Sequence, residues 1–484
     1  MISRRRFLQS SLTAATGAAL GAAGNAQANT DKPNVLFIAI DDLNDWIGCL
    51  GGHPQAKTPN IDRLAKRGVL FSNAHCSAPL CNPSRTSVMT GLHPTTSGVM
   101  GNMQDWREAP KLRYKKTLPQ YFKEHGYWTG AAGKLYHANH GGETGALTGG
   151  HGGRQGFNHP ESWTERYPSK DVQLPMPAML AGQKNNGLDI WHWDWGGMPN
   201  PDEATIDWRT SDWAIQQLYL EREQPFFLGL GIYKPHPPWY VPQHYLDEID
   251  LDLVELPLIK EDDIGDLPEI AVHYLRNPKH FHKLVLENNL YKEAVQAYLA
   301  NIAHADAMLG RVLDVLDASP HAKNTIVVLW SDHGWHLGEK QRWHKSTLWE
   351  DATHVPMIVS VPGMETAGRI CNRAVSLLDL YPTLVELCGL PERDDLDGIS
   401  LSQQLGDPAA ARLRPAVTSR KGNHHSARSD RWRYIRYSDG SEELYDHNND
   451  PHEWRNLIGD EQYKPVIQEL AQWLPSSEDA PLPK

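Results

Sequence analysis

The residues best placed to do chemistry lie in Cys81-Asn82-Pro83-Ser84-Arg85, inside the longer stretch 76–91. Proline suits a first helical position, because its missing N–H would find no partner there. The pattern therefore predicts a helix that begins at Pro83, runs over 84–90 and stops at Gly91. Cys81 then sits at the positive end of the helix dipole, where unpaired backbone N–H groups favour anions. Arg85, one turn on, adds a permanent cation whose forked donors suit a tetrahedral oxyanion. A nucleophile, a guanidinium and a helix N-terminus converge on one spot, and together they suit attack on an anionic ester.

The elements that must position these groups read as buried strands. Residues 33–40 form a continuous apolar run ended by Asp41-Asp42, and 325–330 form a second, ended by Ser331-Asp332-His333-Gly334. Unbroken apolar runs suit strands covered on both faces, as in parallel α/β sheets. Such sheets carry their functional groups just beyond the carboxyl ends of the strands. An acidic pair in one turn is most often a solvated turn. Two such clusters on equivalent strand ends instead point to a hard divalent cation, with carboxylate oxygens favouring calcium or magnesium.

Two further strand-like runs lead into cationic residues. Residues 127–133 precede Lys134-Leu135-Tyr136-His137, and 226–232 precede Tyr233-Lys234-Pro235-His236-Pro237. Lys134 and His137 share a face if the loop begins a helical turn. The prolines on either side of His236 fix its backbone. Lys345 follows in Trp343-His344-Lys345-Ser346. Taken singly, each of these residues reads as a surface charge.

The string Cys-x-Pro-Ser-Arg at 81–85 resembles the signature of the type I sulfatases of the alkaline phosphatase superfamily. An isolated cysteine is more often a small buried hydrophobe, and the signature reverses that reading. His333, where the family more commonly has Asn, resembles the iduronate-2-sulfatase branch, as do 331–339, 352–357 and 361–363. The likeness spans roughly 33–457.

The resemblance implies that Cys81 is oxidised after translation to formylglycine (3-oxoalanine) by a formylglycine-generating enzyme. It works as the hydrate. One hydroxyl attacks the sulfur of a sulfate ester and releases the alcohol. The other then loses its proton, and the diol collapses to expel sulfate. A serine would be left holding a stable ester.

By the same resemblance, Asp41, Asp42, Cys81, Asp332 and His333 match the metal set, with calcium ahead of magnesium. Lys134 and Lys345 match cations on the sulfate oxygens, and Arg85 stabilises the hydrate. His236 and Lys345 are both candidates for protonating the leaving group, and His137 for the base. Exchanging the two histidine roles fits the sequence equally. The implied substrate is a sulfated saccharide bound by Lys134, His236, Lys345 and Trp335, with the branch tilting toward a 2-sulfated uronic acid.

The implied fold is α/β: a large mixed, mostly parallel sheet flanked by helices, alkaline-phosphatase-like, with a small C-terminal α+β subdomain of antiparallel strands and a helix. We expect a catalytic domain over 29–400 and the subdomain over 401–484. Helices are expected at 61–67, 118–125, 208–223, 291–319 and 377–388, and strands at 416–419, 426–437 and 443–446. The span 138–201 reads as excursions over the site rim. Trp191, Trp193 and Trp195 fit packing of that loop better than sugar stacking. Residues 101–106 and Trp335 are candidates for the pocket wall.

Residues 1–28 read as a signal peptide, with Arg4-Arg5-Arg6 in a twin-arginine n-region and Ala26-Gln27-Ala28 before cleavage. The stretch is too polar and short for a stable membrane span. A bacterial protein exported by the twin-arginine route to the periplasm or beyond is expected. The net charge of −12 becomes −15 without the three arginines, which leaves 44 basic against 59 acidic residues. That surface argues against nucleic acid as a partner and requires a local basic pocket for any sulfated substrate. Five cysteines are too few for a disulfide framework. Cys371 and Cys388 are either bridged or two buried thiols.

Three other functions share some of these features. They are a phosphonate monoester or phosphodiester hydrolase on the same scaffold, a non-catalytic sulfoglycan-binding protein, and a thiol hydrolase. The last would have no need of the strand-end aspartates.

Overall fold

The computed structural model describes residues 32–137, 157–167, 186–188, 193–275, 281–477 and 479–483. In chain order its main elements begin with β1 (Asn34–Ile40), α1 (Pro59–Arg67), β2 (Val69–Phe71), α2 (Cys81–Thr90), α3 (Leu118–Glu124), β3 (Trp128–Gly133) and β4 (Glu165–Tyr167). They continue with α4 (Ile206–Tyr219), β5 (Phe226–Ile232), α5 (Tyr291–Ala318), β6 (Thr325–Ser331), β7 (Met357–Ser360), β8 (Ile370–Cys371) and α6 (Leu380–Leu387). Four short strands follow, β9 (Ala416–Arg420), β10 (His424–Arg428), β11 (Trp432–Arg436) and β12 (Glu442–Asp446), and then α7 (Lys464–Ala471).

The eight-stranded sheet has the order β8-β2-β7-β6-β1-β5-β3-β4. Strand β7 runs antiparallel to both its neighbours, and the other pairings are parallel. The apolar run of β1 is unbroken because both of its faces are covered. Leu36, Ile38 and Ile40 pack with α1, α4 and α5, while Val35, Phe37 and Ala39 pack with α2, α3 and α6. Ile40 stands opposite Ile232 on one side and Ser331 on the other, so three strands end at one level. Gly133 of β3 pairs with Gly231 of β5, which brings Lys134 to the same edge.

Strands β9 to β12 form an antiparallel meander that packs with α7. Its inner face docks on the segment just after Lys345. The buried Arg433 donates to Leu348 O and Thr353 Oγ1, each at 2.9 Å, and ion-pairs with Glu350 and Glu453. Trp349 Nε1 donates to Glu443 Oε2 at 2.7 Å. Arg420 Nε donates to Ser346 O at 2.7 Å.

Several expectations are corrected in detail. The nucleophile helix begins at Cys81, two residues earlier than predicted, so Pro83 occupies its third position. Proline is tolerated there because the N–H groups of the first turn have no intrahelical partner. The run 426–437 divides into β10 and β11, and 377–388 into a 3₁₀ turn at Leu377–Asp379 followed by α6. Thr205 caps α4, which starts at Ile206 and ends at Tyr219, before the predicted limit of 223. Cys371 and Cys388 are separate buried thiols. Trp193 and Trp195 are buried in a cluster with Trp239 and Trp343, as loop packing predicts. Residues 1–28 and Trp191 lie outside the described residues. Among the described residues no helix is long and apolar enough to cross a membrane.

The close approach of β5 to Lys134 needs a residue without a side chain. A Cβ at Gly231 would lie 2.3 Å from the carbonyl carbon and oxygen of Lys134. Gly231→Ala is expected to cost about 1–3 kcal/mol through forced backbone displacement, measured as a lower denaturation midpoint. An unchanged midpoint would show that the strand ends shift without cost.

Candidate active site

The first structural fact of the site is a buried guanidinium. Arg85 is fully enclosed on α2; its Nε donates to Asp332 Oδ2 at 2.7 Å and its NH2 to Asp41 Oδ1 at 2.9 Å. Its NH1 donates to the carbonyls of Lys134 and Leu135. The fork expected on the hydrate or on a tetrahedral anion is thus closed on protein acceptors. Arg85 joins the nucleophile helix to the ends of β1, β6 and β3. Ser84 adds a bond of 2.6 Å from its hydroxyl to Asp332 O.

Cys81 is 1% exposed, and three groups meet its sulfur. Lys345 Nζ lies 3.1 Å away, His333 Nε2 3.2 Å and Asp42 Oδ1 3.8 Å. Lys345 Nζ also donates to Asp42 Oδ1 at 2.5 Å. Lys134 Nζ pairs with Asp41 Oδ2. His236 Nδ1 donates to Pro237 O at 2.6 Å, which leaves Nε2 facing Asp42 Oδ2 at 3.8 Å. His137 is buried, and Lys134, Asp41, Lys345 and Arg85 all act on its titration. Trp335 is as enclosed as Cys81, and its ring lies 5.3 Å from the Lys345 ammonium. It therefore meets the site through Lys345 and not as an open wall.

Charge explains the titration behaviour. Burial raises the Cys81 thiol, but Lys134, Lys345 and His333 outweigh it and bring the group down to about 7. Burial pushes Asp42 up to about 7 against the pull of Lys345. Burial also works against the charge on Asp41, yet Lys134, Arg85 and Lys345 hold that carboxyl well below its usual range. Burial disfavours protonated His333, but Asp332 carries it to about 9. His137 and His236 are driven well below the usual imidazole range, by burial first and then by Lys134. Both are neutral, and Lys345, held up by Asp42 against burial, stays charged.

One ligand atom each of Asp42, Cys81, Asp332 and His333 lies within 4.8 Å of the others, and Asp41, Asp42 and His236 form an overlapping group. Asp42 Oδ2 is buried with no hydrogen-bond partner. His333 Nδ1 donates to Gly334 O at 3.0 Å, so Nε2 is the atom turned toward the carboxylates. A metal-ligating histidine typically donates its other ring N–H to a carbonyl in this way, which fixes the ring and its tautomer. Binding a cation would release the Nε2 proton. The residues fit a divalent metal.

Three supporting residues escaped the sequence reading. Tyr298 on α5 donates its hydroxyl to Asp42 O at 2.8 Å and accepts from Asn44 N. It braces a backbone held at φ 59°. Asp207 at the start of α4 accepts from Tyr233 N at 2.7 Å and Lys234 N at 3.0 Å, fixing the loop that carries His236. Asn82 donates to Gly101 O and Gln104 O, and its own N–H is taken by Asn102. Only Asn82, inside the signature, carried any signal. An aspartate at a helix start reads as a cap, and a tyrosine in an apolar helix reads as core.

Buried carboxylates, fixed cations and a low-pKa nucleophile at the ends of parallel strands define a hydrolase of anionic esters. Comparison with known proteins makes the class specific. Residues 33–390 match the sequence model of the family described as Sulfatase, and 338–479 match that described as N-sulphoglucosamine sulphohydrolase, C-terminal. The chain belongs to the sulfatase family and is a sulfuric ester hydrolase.

A sulfatase of Formosa agariphila is 38% identical over 461 residues, covering 93% of this chain and 88% of the relative. Human iduronate 2-sulfatase is 30% identical over 416 residues, covering 77% and 72%. The crystal structure of a phosphonate monoester hydrolase from Agrobacterium radiobacter superposes with a TM-score of 0.73 at 21% identity, covering 91% of this chain and 94% of that one. This last likeness is one of fold.

In unmodified, chelator-treated protein, alkylation of Cys81 by iodoacetamide should rise through a midpoint near 7. The other four thiols are all pushed upward and should react little there. Lys345→Met removes a cation 3.1 Å from the sulfur and should move the midpoint up. A wild-type midpoint near the free-thiol value of about 8.5 would mean that the lysines do not outweigh burial.

Proposed function

We propose that the protein removes sulfate from sulfated saccharides, using a formylglycine hydrate made from Cys81 and a calcium ion held by Asp41, Asp42, Asp332 and His333. The observation that carries this reading is the sulfur of Cys81, in contact with Lys345, His333 and Asp42 at 3.1–3.8 Å. That sulfur marks where the oxygens of the modified side chain would stand. The hydrate would supply a nucleophilic hydroxyl and a second hydroxyl for release of sulfate. The metal would supply positive charge against the sulfate oxygens.

This chain's own residues supply the rest. Lys345 remains an ammonium beside the nucleophile, and its charge and protons would serve the departing oxygen across the bound sulfate. Lys134 adds a second fixed cation beside Asp41. His137, neutral at working pH, is suited to accept the proton lost as the diol collapses. His236, also neutral, has Nδ1 committed to Pro237 O and points Nε2 inward. In this arrangement the better proton donor is Lys345. The resemblance to human iduronate 2-sulfatase supports a 2-sulfated uronic acid as the substrate unit. Residues 1–28 support export by the twin-arginine route to the periplasm or beyond, and maturation would draw on a formylglycine-generating enzyme.

A panel of defined sulfated disaccharides tests the substrate, with phenyl phosphonate alongside; faster turnover of the phosphonate at equal enzyme would favour the other hydrolase. Cys81→Ser is expected to abolish turnover in a host that modifies only cysteine, and wild-type-like activity would remove the formylglycine reading. Treatment with EDTA should silence the enzyme and added calcium restore it. Full turnover by the metal-free protein would make the carboxylates structural.

Lys345→Ala should slow alkyl sulfates of sugars about 10²–10⁴-fold, the usual worth of proton assistance, and activated aryl sulfates far less. Lys134→Ala should slow both alike. Equal losses on both substrates for Lys345→Ala, with a selective loss for His236→Ala, would transfer the leaving-group role to the histidine.

A further inference from the structure

A second group of metal-competent side chains lies outside the residues assigned above. His336 and Glu339 belong to the segment between β6 and Lys345, and Asp351 to the short helix Glu350–Thr353. One ligand atom of each lies within 4.8 Å of the other two. His336 is fully buried, with Nε2 2.6 Å from Thr347 Oγ1. Its Nδ1 has no hydrogen-bond partner and faces Asp351 Oδ2 at 3.4 Å.

The oxygens here lack protein counter-charge. Among the described residues no lysine or arginine ion-pairs with Glu339 or Asp351; the partner within ion-pair distance of Asp351 is His336 itself. Burial first, then Arg342 and Lys340, keep that imidazole neutral. An uncharged ring nitrogen thus looks onto a carboxylate oxygen. Glu339 Oε2 accepts from Leu337 N at 2.6 Å, which orients the carboxylate from behind. Glu339 and Asp351 also border a cavity of about 690 Å³ whose other lining residues include Asp45, Glu350, His354, His447 and Arg428. Within it Asp45 pairs at 3.7 Å with His354. Ions therefore have a route to these two carboxylates, past charged side chains that are mostly acidic.

We propose that His336 Nδ1, Glu339 and Asp351, with Asp45 beside them, form a second divalent-cation site separate from the one at Asp41, Asp42, Asp332 and His333. One imidazole with two or three carboxylates and water suits Mn²⁺ among the common divalent ions. The bound ion joins the segment leading to Lys345, the helix preceding β7 and the loop following β1. It braces the approach to the active site without touching substrate.

The test titrates chelator-stripped full-length protein with Mn²⁺ in saturating Ca²⁺, reading free Mn²⁺ by electron paramagnetic resonance and melting temperature in parallel. Wild type should bind one Mn²⁺ that persists in Asp332→Asn and is weakened at least tenfold in Asp351→Asn, and Mn²⁺ should raise the melting temperature only where it binds. Glu339→Gln gives an independent variant, and circular dichroism confirms that each is folded. Failure of wild type to bind Mn²⁺ in excess Ca²⁺ overturns the proposal and leaves a proton shared by His336 and Asp351. Equal binding by wild type and the folded Asp351→Asn and Glu339→Gln variants overturns it as well. Neither readout depends on what ester the enzyme cleaves.

Discussion

The site depends on one buried guanidinium. Arg85 bridges Asp41 at the end of β1 and Asp332 at the end of β6, and it also holds two carbonyls beyond β3. Three acids packed at one sheet edge would repel one another and resist burial. Removing one partner from such a network leaves an uncompensated charge, typically at a cost of about 3–5 kcal/mol. Because the arginine comes from the helix that starts at Cys81, a single side chain fixes the nucleophile relative to the acids. The remaining cations, Lys134 and Lys345, are then placed against acids already held in position.

The C-terminal sheet extends that order to Lys345. Arg433 and Arg420 hold the backbone at Leu348 and Ser346, and Glu443 takes the Trp349 N–H. Lys340 reaches Asp263 Oδ1 at 2.7 Å and the carbonyl of Glu453. The loop carrying Lys345 is thereby gripped on both sides. An ammonium on a long flexible stem becomes a fixed donor only when its backbone is held in this way.

Much of this was legible from the chain. The four principal strands were visible as apolar runs because they are covered on both faces, and the residues just past their ends were the ones that met. Cys81 and the acids converge as the strand ends implied, and the two lysines join them as the family resemblance implied. What could not be read was partnership. Nothing in the sequence tells Arg85 to close on Asp41 and Asp332 in place of a ligand, because that choice is set by the register of β1 against β6. Trp335 looked like a wall residue, and it lies against Lys345. Asp207 and Tyr298 act through backbone atoms of loops distant in sequence, which local pattern does not encode. The helix start at Cys81 was missed because proline marks the first turn and not a unique position within it.

The spread of the site along the chain has a consequence in time. Asp41 and Cys81 leave the ribosome early, Lys345 much later, and the sheet that fixes it ends near residue 446. At about 5–20 residues per second, synthesis of that interval takes on the order of tens of seconds. Contacts this distant in sequence form late, because loop closure precedes their reward. Throughout that period the segment around Cys81 lacks the partners that later seal it to 1% exposure. A residue almost wholly enclosed in the finished molecule is thus openly on offer to any factor that meets the growing chain, for a time set by the order of residues along the chain and the speed of translation.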